Sequence, residues 1–331
     1  MKKKMVLIAV LLLSILIIGC NKQGAKSVTE ALPGEGLTFG IAVTTLTGNP
    51  FNIALGNAAK EECERLGIKT FLQGAPDYTN FQGQVNILEN YVAQKVDAIL
   101  VTSIDADAVV PALDAAAAAK IPVVFFDHNA NTRNRLTYIG TNNVTSSYEG
   151  VKMLLQKIGG KGQILHIEGA AGVPVTDLRK QGMLLALKEF PDVQLVMSQD
   201  GHYTAEGGMA VMESALQAFP NIDVVFCAND LEAQGAWEAA ANVNKQDDII
   251  IMGYDGDRGA LEDIKAGKMD HTIVQYPEDM AIAAVRLALG YIKSFKGTKY
   301  FCDYENGNPY TDNFWTGFAI VSQENVDQFL K

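Results

Sequence analysis

From Leu37 onward, short runs of β-branched and aromatic residues alternate with longer stretches in which apolar residues return every three or four positions. A run of the first kind suits a strand buried on both faces, and a stretch of the second kind suits a helix that covers it. The alternation predicts α/β architecture, with parallel sheets covered by helices. Strands are expected at 38–43, 69–73, 98–103 and 122–127, and a second series at 163–168, 194–198, 224–228, 249–255 and 271–275. Between the two series a helix is expected over 144–158, with Val144, Tyr148, Val151, Leu155 and Ile158 on one face. A further helix is expected over 279–295. The stretch 296–315, rich in Tyr, Asn, Asp and Gly, reads as a loop-rich insertion. The tail then gives a strand at 319–321 and a helix opened by Ser322, with Asn325 completing an imperfect capping box.

Two serial units of similar size point to two doubly wound lobes, and the roughly 295 residues after Gly36 are too many for one ordinary core. The first lobe is expected to comprise 37–140 plus 276–314, and the second 141–275 plus 315–331. Three interlobe crossings follow, near Thr141-Asn142, Gln275-Tyr276 and Trp315-Thr316.

The N-terminus has a different pattern. Lys2, Lys3 and Lys4 precede an apolar run from Met5 to Ile18, the layout of an export signal. The run is shorter than the ~20 residues that span a bilayer. Its end, Ile17-Ile18-Gly19-Cys20, resembles a bacterial lipobox, which implies a signal peptide over 1–19 and a lipid on Cys20. The chain would then be exported and held at the cell membrane by that lipid alone. Residues 20–36 read as a flexible tether.

Charge narrows the partners. Without 1–19 the chain keeps 27 − 3 = 24 basic and 38 acidic groups, a formal charge of −14, which argues against a nucleic-acid partner. Besides Cys20 there are Cys63, Cys227 and Cys302, with no CxxC and no histidine spacing suited to zinc, so neither metal nor other cofactor is expected. Cys63 continues the stripe of Phe51, Leu55 and Ala59 and reads as a core thiol, while a disulfide between two of the three stays open. His128, His166, His202 and His271 sit in no GxSxG or HExxH frame, and no GxGxxG occurs, so no enzyme or dinucleotide cofactor is indicated.

Polar residues recur where strands end. The first strand leads into Thr44-Thr45-Leu46-Thr47-Gly48-Asn49-Pro50-Phe51-Asn52, a polar loop that opens a helix. The fourth ends in Asp127-His128, and later strands lead to Asp177 and Arg179, Asn229-Asp230, Asp255 and Gln275. In doubly wound folds ligands bind at these carboxyl ends. Each of these residues has a plainer reading as well: Asp127 and Asp255 as turn caps, Phe51 as core, Asn229 as a structural amide, and Arg179 as a surface partner of Asp177.

The phrases TTLTGNPF, GIKTF, DADAVVPAL, IPVVFFD, IGTNN, FCANDLEAQGA, MGYDGD and TIVQYP, in this order, resemble the type I periplasmic sugar-binding proteins, ribose-binding branch. The resemblance covers nearly all of 37–295. It implies a sugar gripped between the lobes by Thr44, Asn49 and Phe51, by Asp127 and Arg179, by Tyr203 as an aromatic wall, and by Asn229, Asp255 and Gln275. Two positions depart from the pattern: Asn52 stands where a second stacking aromatic is expected, and His128 where an arginine is expected. His128 is open to three roles, stacking on the ring, donating to a hydroxyl, or lining the rim. The chemistry suits a polyol, whose hydroxyls donate and accept while its C–H faces pack on rings. The partner implied is an ABC transporter permease or, as the alternative, a chemoreceptor or sensor kinase. A monomer is expected, and pentose, hexose, polyol and nucleoside ligands stay open.

Overall fold

The computed structural model describes residues 31–299, 301–304 and 313–330. The expected signal peptide, Cys20 and most of the expected tether lie outside these residues. Among the described residues no helix is long and apolar enough to cross a membrane.

The first series runs β1 (Thr38–Thr45), α1 (Pro50–Arg65), β2 (Lys69–Ala75), α2 (Phe81–Ala93), β3 (Ala98–Val101), α3 (Val110–Ala118), β4 (Val123–Phe126) and β5 (Thr137–Thr141). The second runs α4 (Asn143–Lys157), β6 (Lys161–Glu168), α5 (Pro174–Leu187), β7 (Asp192–Asp200), α6 (Ala205–Ala218), β8 (Val224–Cys227), α7 (Asp230–Asn242), β9 (Ile250–Asp255), α8 (Arg258–Lys265) and β10 (His271–Val274). Then α9 (Pro277–Phe295) returns to the first core, followed by β11 (Phe314–Thr316) and β12 (Ala319–Ser322). The strands form two six-stranded sheets, β11-β5-β4-β3-β1-β2 and β12-β10-β9-β8-β6-β7. Pairing is parallel except for β12, which lies antiparallel to β10.

Period two explains why these strands read as apolar runs. Along β4, Val124 and Phe126 pack into one core and Val123 and Phe125 into the core on the opposite face. Along β8, Val225 and Cys227 face one way and Val224 and Phe226 the other. Both faces are covered by helices, so every side chain of the strand leaves water. Cys63 is buried beside Phe51, Leu55 and Ala59. It is a free thiol, as are Cys227 and Cys302.

The structure departs from the sequence reading at five places. Two strands, β5 and β11, were not anticipated. Because Phe314, Trp315 and Thr316 pair with Ile139, Gly140 and Thr141, the third passage between sheets falls between Thr316 and Ala319, beyond the expected Trp315-Thr316. The tail forms a single 3-10 turn at Val326–Gln328 in place of an α-helix. There Asn325 Oδ1 accepts from the Ser322 backbone N–H at 2.8 Å, the half of the expected capping box in which the third residue reaches back to the cap. The end of the expected tether is docked: Gly34 N–H donates to the Leu66 carbonyl at 2.7 Å, and a Cβ on Gly34 would meet Ile68 at 2.1 Å. Finally, the buried face of α4 is Asn143, Ser146, Ser147, Gly150, Val151, Leu154 and Leu155, rotated from the expected stripe.

Candidate ligand-binding cleft

Strand ends from both sheets meet in a cavity lined by Asn49, Phe51, Asn52, Tyr78, Asp127, His128, Arg179, Tyr203 and Asp255. Eight of these nine are residues singled out from the sequence; Tyr78 is the exception. The interior left to a water-sized sphere is only ≈ 10 Å³, so the walls stand close together.

The first wall is built around α1. Asn49 caps the helix, its Oδ1 accepting from the Asn52 N–H at 3.0 Å, and Pro50 supplies the pre-set φ of a first turn. The cap leaves two side-chain amides to point inward. Asn49 Nδ2 donates to the Tyr78 hydroxyl at 3.1 Å and Asn52 Nδ2 donates to the same oxygen at 2.6 Å. Tyr78 lies in the loop after β2, and its ring meets Tyr203 from the other lobe with centroids 5.1 Å apart. Phe51 is buried and belongs to the first core while lining the cavity. Thr44, fully buried one residue before the end of β1, does not line the cavity.

Asp127 and His128 follow β4. Asp127 adopts φ +68°, and the Tyr138 hydroxyl donates to its backbone carbonyl at 2.7 Å. His128 Nδ1 lies 2.9 Å from the Ser103 carbonyl and Nε2 lies 3.1 Å from Asp127 Oδ2. Both side chains are almost completely buried. Burial pushes the Asp127 carboxyl up to about 7, against the pull of the Arg179 guanidinium and the Thr102 hydroxyl. Burial holds the His128 imidazole down at about 3. Charged forms are disfavoured in the absence of solvent.

Arg179, on α5, is the cation of the second wall. Its Nε donates to Asn143 Oδ1 at 2.9 Å, Nη1 donates to the Ala228 carbonyl, and the guanidinium lies 3.7 Å from the centroid of the Tyr254 ring. Its partner is Asp255 at 3.5 Å, and Asp177 has no part in it. Burial works against the charge, but the Asp255 carboxylate and the surrounding tyrosines hold the guanidinium pKa above its ordinary value. Asp255, at φ +113°, also accepts from Gln275 Nε2 at 2.8 Å; burial pushes its carboxyl up to about 7 despite Arg179, and Asp127 adds to the rise. Tyr203 is fixed at both ends, its hydroxyl 2.7 Å from Thr176 Oγ1 and its N–H donating to Glu232 at 2.7 Å.

Asn229 and Gln275 stand just outside the lining. Asn229 is the N-cap of α7 in a complete capping box with Glu232, and its Nδ2 donates to the Tyr203 carbonyl at 3.3 Å. Both ends of that amide are therefore engaged. Gln275 closes β10 and keeps Oε1 buried with no hydrogen-bond partner; Asn52 Oδ1 and Asp127 Oδ1 are in the same condition. Buried oxygens of this kind are costly unless something donates to them. Among the described residues no group of His, Cys, Asp or Glu could hold a metal ion.

The comparisons agree with this geometry. A family model described as a periplasmic binding protein domain matches residues 39–297. The ribose import binding protein of Bacillus subtilis is 31% identical over 279 residues, covering 83% of this chain and 89% of that protein. A D-apiose import binding protein of Actinobacillus succinogenes is 32% identical over 254 residues, 76% of this chain and 81% of that one. A solved ABC transporter solute-binding protein of the same species, with bound D-allose, superposes with TM-score 0.78 at 30% identity, covering 88% of this chain and 99% of that one. The chain is a member of the periplasmic binding protein family, with its two α/β lobes meeting at the cleft described above.

Proposed function

We propose that this protein captures a neutral monosaccharide between its lobes and delivers it to the permease of an ABC transporter. The observation that carries the reading is the set of three buried, unpartnered acceptors, Asn52 Oδ1, Asp127 Oδ1 and Gln275 Oε1, grouped about one cleft. Sugar hydroxyls donate to such atoms, while Arg179 and the asparagine amides answer as donors. Phe51, Tyr78 and Tyr203 supply apolar faces for the C–H side of the ring. The named relatives import or hold aldoses, which supports an aldose here.

The lobe division belongs to the same proposal. Asn49, Phe51 and Asp127 sit with the first sheet, Arg179 and Asp255 with the second, and three passages of chain let the lobes hinge without separating. The closed pair of lobes is the surface a permease reads. The signal-like N-terminus supports export and acylation of Cys20, with the folded part acting as a monomer outside the membrane. Loss of lipid labelling in Cys20→Ala would support that site, and unchanged labelling would remove it.

The test is a thermal-shift screen of pentoses, hexoses, polyols and nucleosides, followed by calorimetry on the hits. A ligand at a hundred times its Kd adds about 2.7 kcal/mol to stability, an easily read shift. If no saccharide raises the melting temperature, the reading fails.

A further inference from the structure

The first sheet carries a second concavity, at the amino ends of its strands. Asp97, just before β3, lies beside Thr38 at the start of β1, and Ile121 lies two residues before β4, so this end of the sheet is the one remote from Asp127. A groove of ≈ 460 Å³ opens there, with Val96, Ile121 and Phe301 among its apolar walls and Lys95, Lys120 and Lys296 around it.

Asp97 is the one acid of that lining, and it is already engaged. It accepts from Lys296 Nζ at 2.6 Å and from the Thr38 N–H at 2.9 Å. Among the described residues Lys95 and Lys120 have no ion-pair partner. Glu62 and Glu64, at the end of α1, are paired as well, Glu62 with Arg65 and Arg286 and Glu64 with Lys60. Lys95 and Lys120 stand just past the caps of α2 and α3, at φ +54° and +57°. Glycine is the usual residue at such a position, because a Cβ is disfavoured there. Lys296 directly follows α9. A cation suits the carbonyl end of any one helix. Here three such ends converge on one groove and concentrate positive charge on a chain that is acidic overall.

The chain enters the first lobe at this same end. Gly34 donates to the Leu66 carbonyl, and the Lys69 N–H donates to the Leu37 carbonyl as the chain turns into β1. Gly34 follows Cys20 by 34 − 20 = 14 residues, at most about 50 Å of extended chain, so a lipid on Cys20 keeps this end near the bilayer.

We propose that the groove end of the first lobe is a docking face for an anionic bilayer, with Lys95, Lys120 and Lys296 on the phosphates of its headgroups. The proposal rests on the acylation reading in one respect, that the lipid on Cys20 brings the face to the membrane. Each lysine at an anionic surface is worth about fivefold in binding, and three together on the order of a hundredfold. That suffices to orient a protein already confined to the surface. The acidic remainder of the chain is repelled, which disfavours the other orientations. Because the cleft residues lie at the opposite ends of the strands, docking leaves the cleft uncovered.

The test is a lysine footprint of the full acylated chain, in vesicles of phosphatidylcholine alone and of phosphatidylcholine with one third phosphatidylglycerol. Acetylation by a water-soluble succinimidyl ester is read at each lysine by mass spectrometry. Lys95, Lys120 and Lys296 are expected to react at least about threefold more slowly in the anionic vesicles, and about 0.5 M NaCl is expected to remove the difference. Lys161 on β6 and Lys188 at the end of α5, both in the second lobe, are expected to react alike in the two. In Lys95→Gln/Lys120→Gln the protection of Lys296 is expected to disappear with the melting temperature unchanged; the wild-type footprint decides on its own if that variant fails to fold. Equal rates in the two vesicles overturn the proposal, as does slowing of Lys161 and Lys188 by the same factor. Protection already complete in phosphatidylcholine means that the chain's own N-terminal segment fills the groove, and protection by inorganic phosphate without vesicles means that a free anion does. Either outcome overturns the bilayer assignment. If Cys20 carries no lipid, the anchoring reading fails separately, and the same comparison on the chain mixed with vesicles still decides the docking face.

Discussion

Asp127 and Asp255 face one cleft from different sheets, and both sit at positive φ, +68° and +113°. Neither residue type adopts such backbone without cost, and the surrounding structure must hold it in place. Asp127 follows β4 and Asp255 ends β9, and both line the space between the lobes.

The two carboxyls are nonetheless expected to differ on mutation. Asp255→Ala leaves Arg179 buried without its anion, a loss on the order of 3 kcal/mol in stability as well as in affinity. Asp127→Ala deletes Oδ1, an acceptor without a partner in the protein, along with the Oδ2 contact to His128, and should weaken sugar binding by about 1–3 kcal/mol with a smaller effect on unfolding than Asp255→Ala. Urea melts paired with calorimetry separate the two; equal stability losses would contradict the assignment.

Tyr78 holds the two asparagines of α1. In Tyr78→Phe the amides of Asn49 and Asn52 lose their shared acceptor while the ring stays against Tyr203. Affinity is expected to fall by about 1 kcal/mol or more, chiefly through faster release. Stopped-flow dissociation at the wild-type rate would assign the hydroxyl a passive role.

Asn229 is engaged as a cap at both ends of its amide. Asn229→Ala should cost about 1 kcal/mol of unfolding free energy, the usual value of a lost cap. A drop in sugar affinity exceeding the drop in stability would show instead that the amide reaches the ligand.

Closure is the fourth expectation. Small-angle scattering should show a smaller radius of gyration in the presence of a sugar that binds, because only the closed state brings Asn49 and Asp127 together with Arg179 and Asp255 around one ligand. An unchanged distance distribution at saturation would rule out hinge closure.

Much of this was legible in the chain because it rests on local rules. A strand buried on both faces must be an unbroken apolar run, and the polar residue that ends it must be short or satisfied. That is how Asp127, Asp255 and Gln275 could be found. Tyr78 escaped because it sits in a loop, within Pro76-Asp77-Tyr78-Thr79-Asn80, where no period marks it and only the folded path carries it to α1. The α4 face was misread for another reason: α4 and α5 approach so closely that a Cβ on Gly182 would lie 2.4 Å from the Val144 carbonyl oxygen and 2.8 Å from Ser147 Cβ. At that spacing the contact face is made of Ser and Gly, which an apolar pattern does not count. β11 is three residues long, too short for any period, and exists because β5 offers it a partner.

The residues from Phe314 to Ser322 supply an outer strand to each sheet, β11 to the first and β12 to the second. Synthesis proceeds from the N-terminus, so neither sheet can be finished until the chain from Phe314 to Ser322 has been made. Up to that moment the growing chain lacks a border on both halves, a condition suited to a protein that must be threaded across a membrane before it takes its final shape.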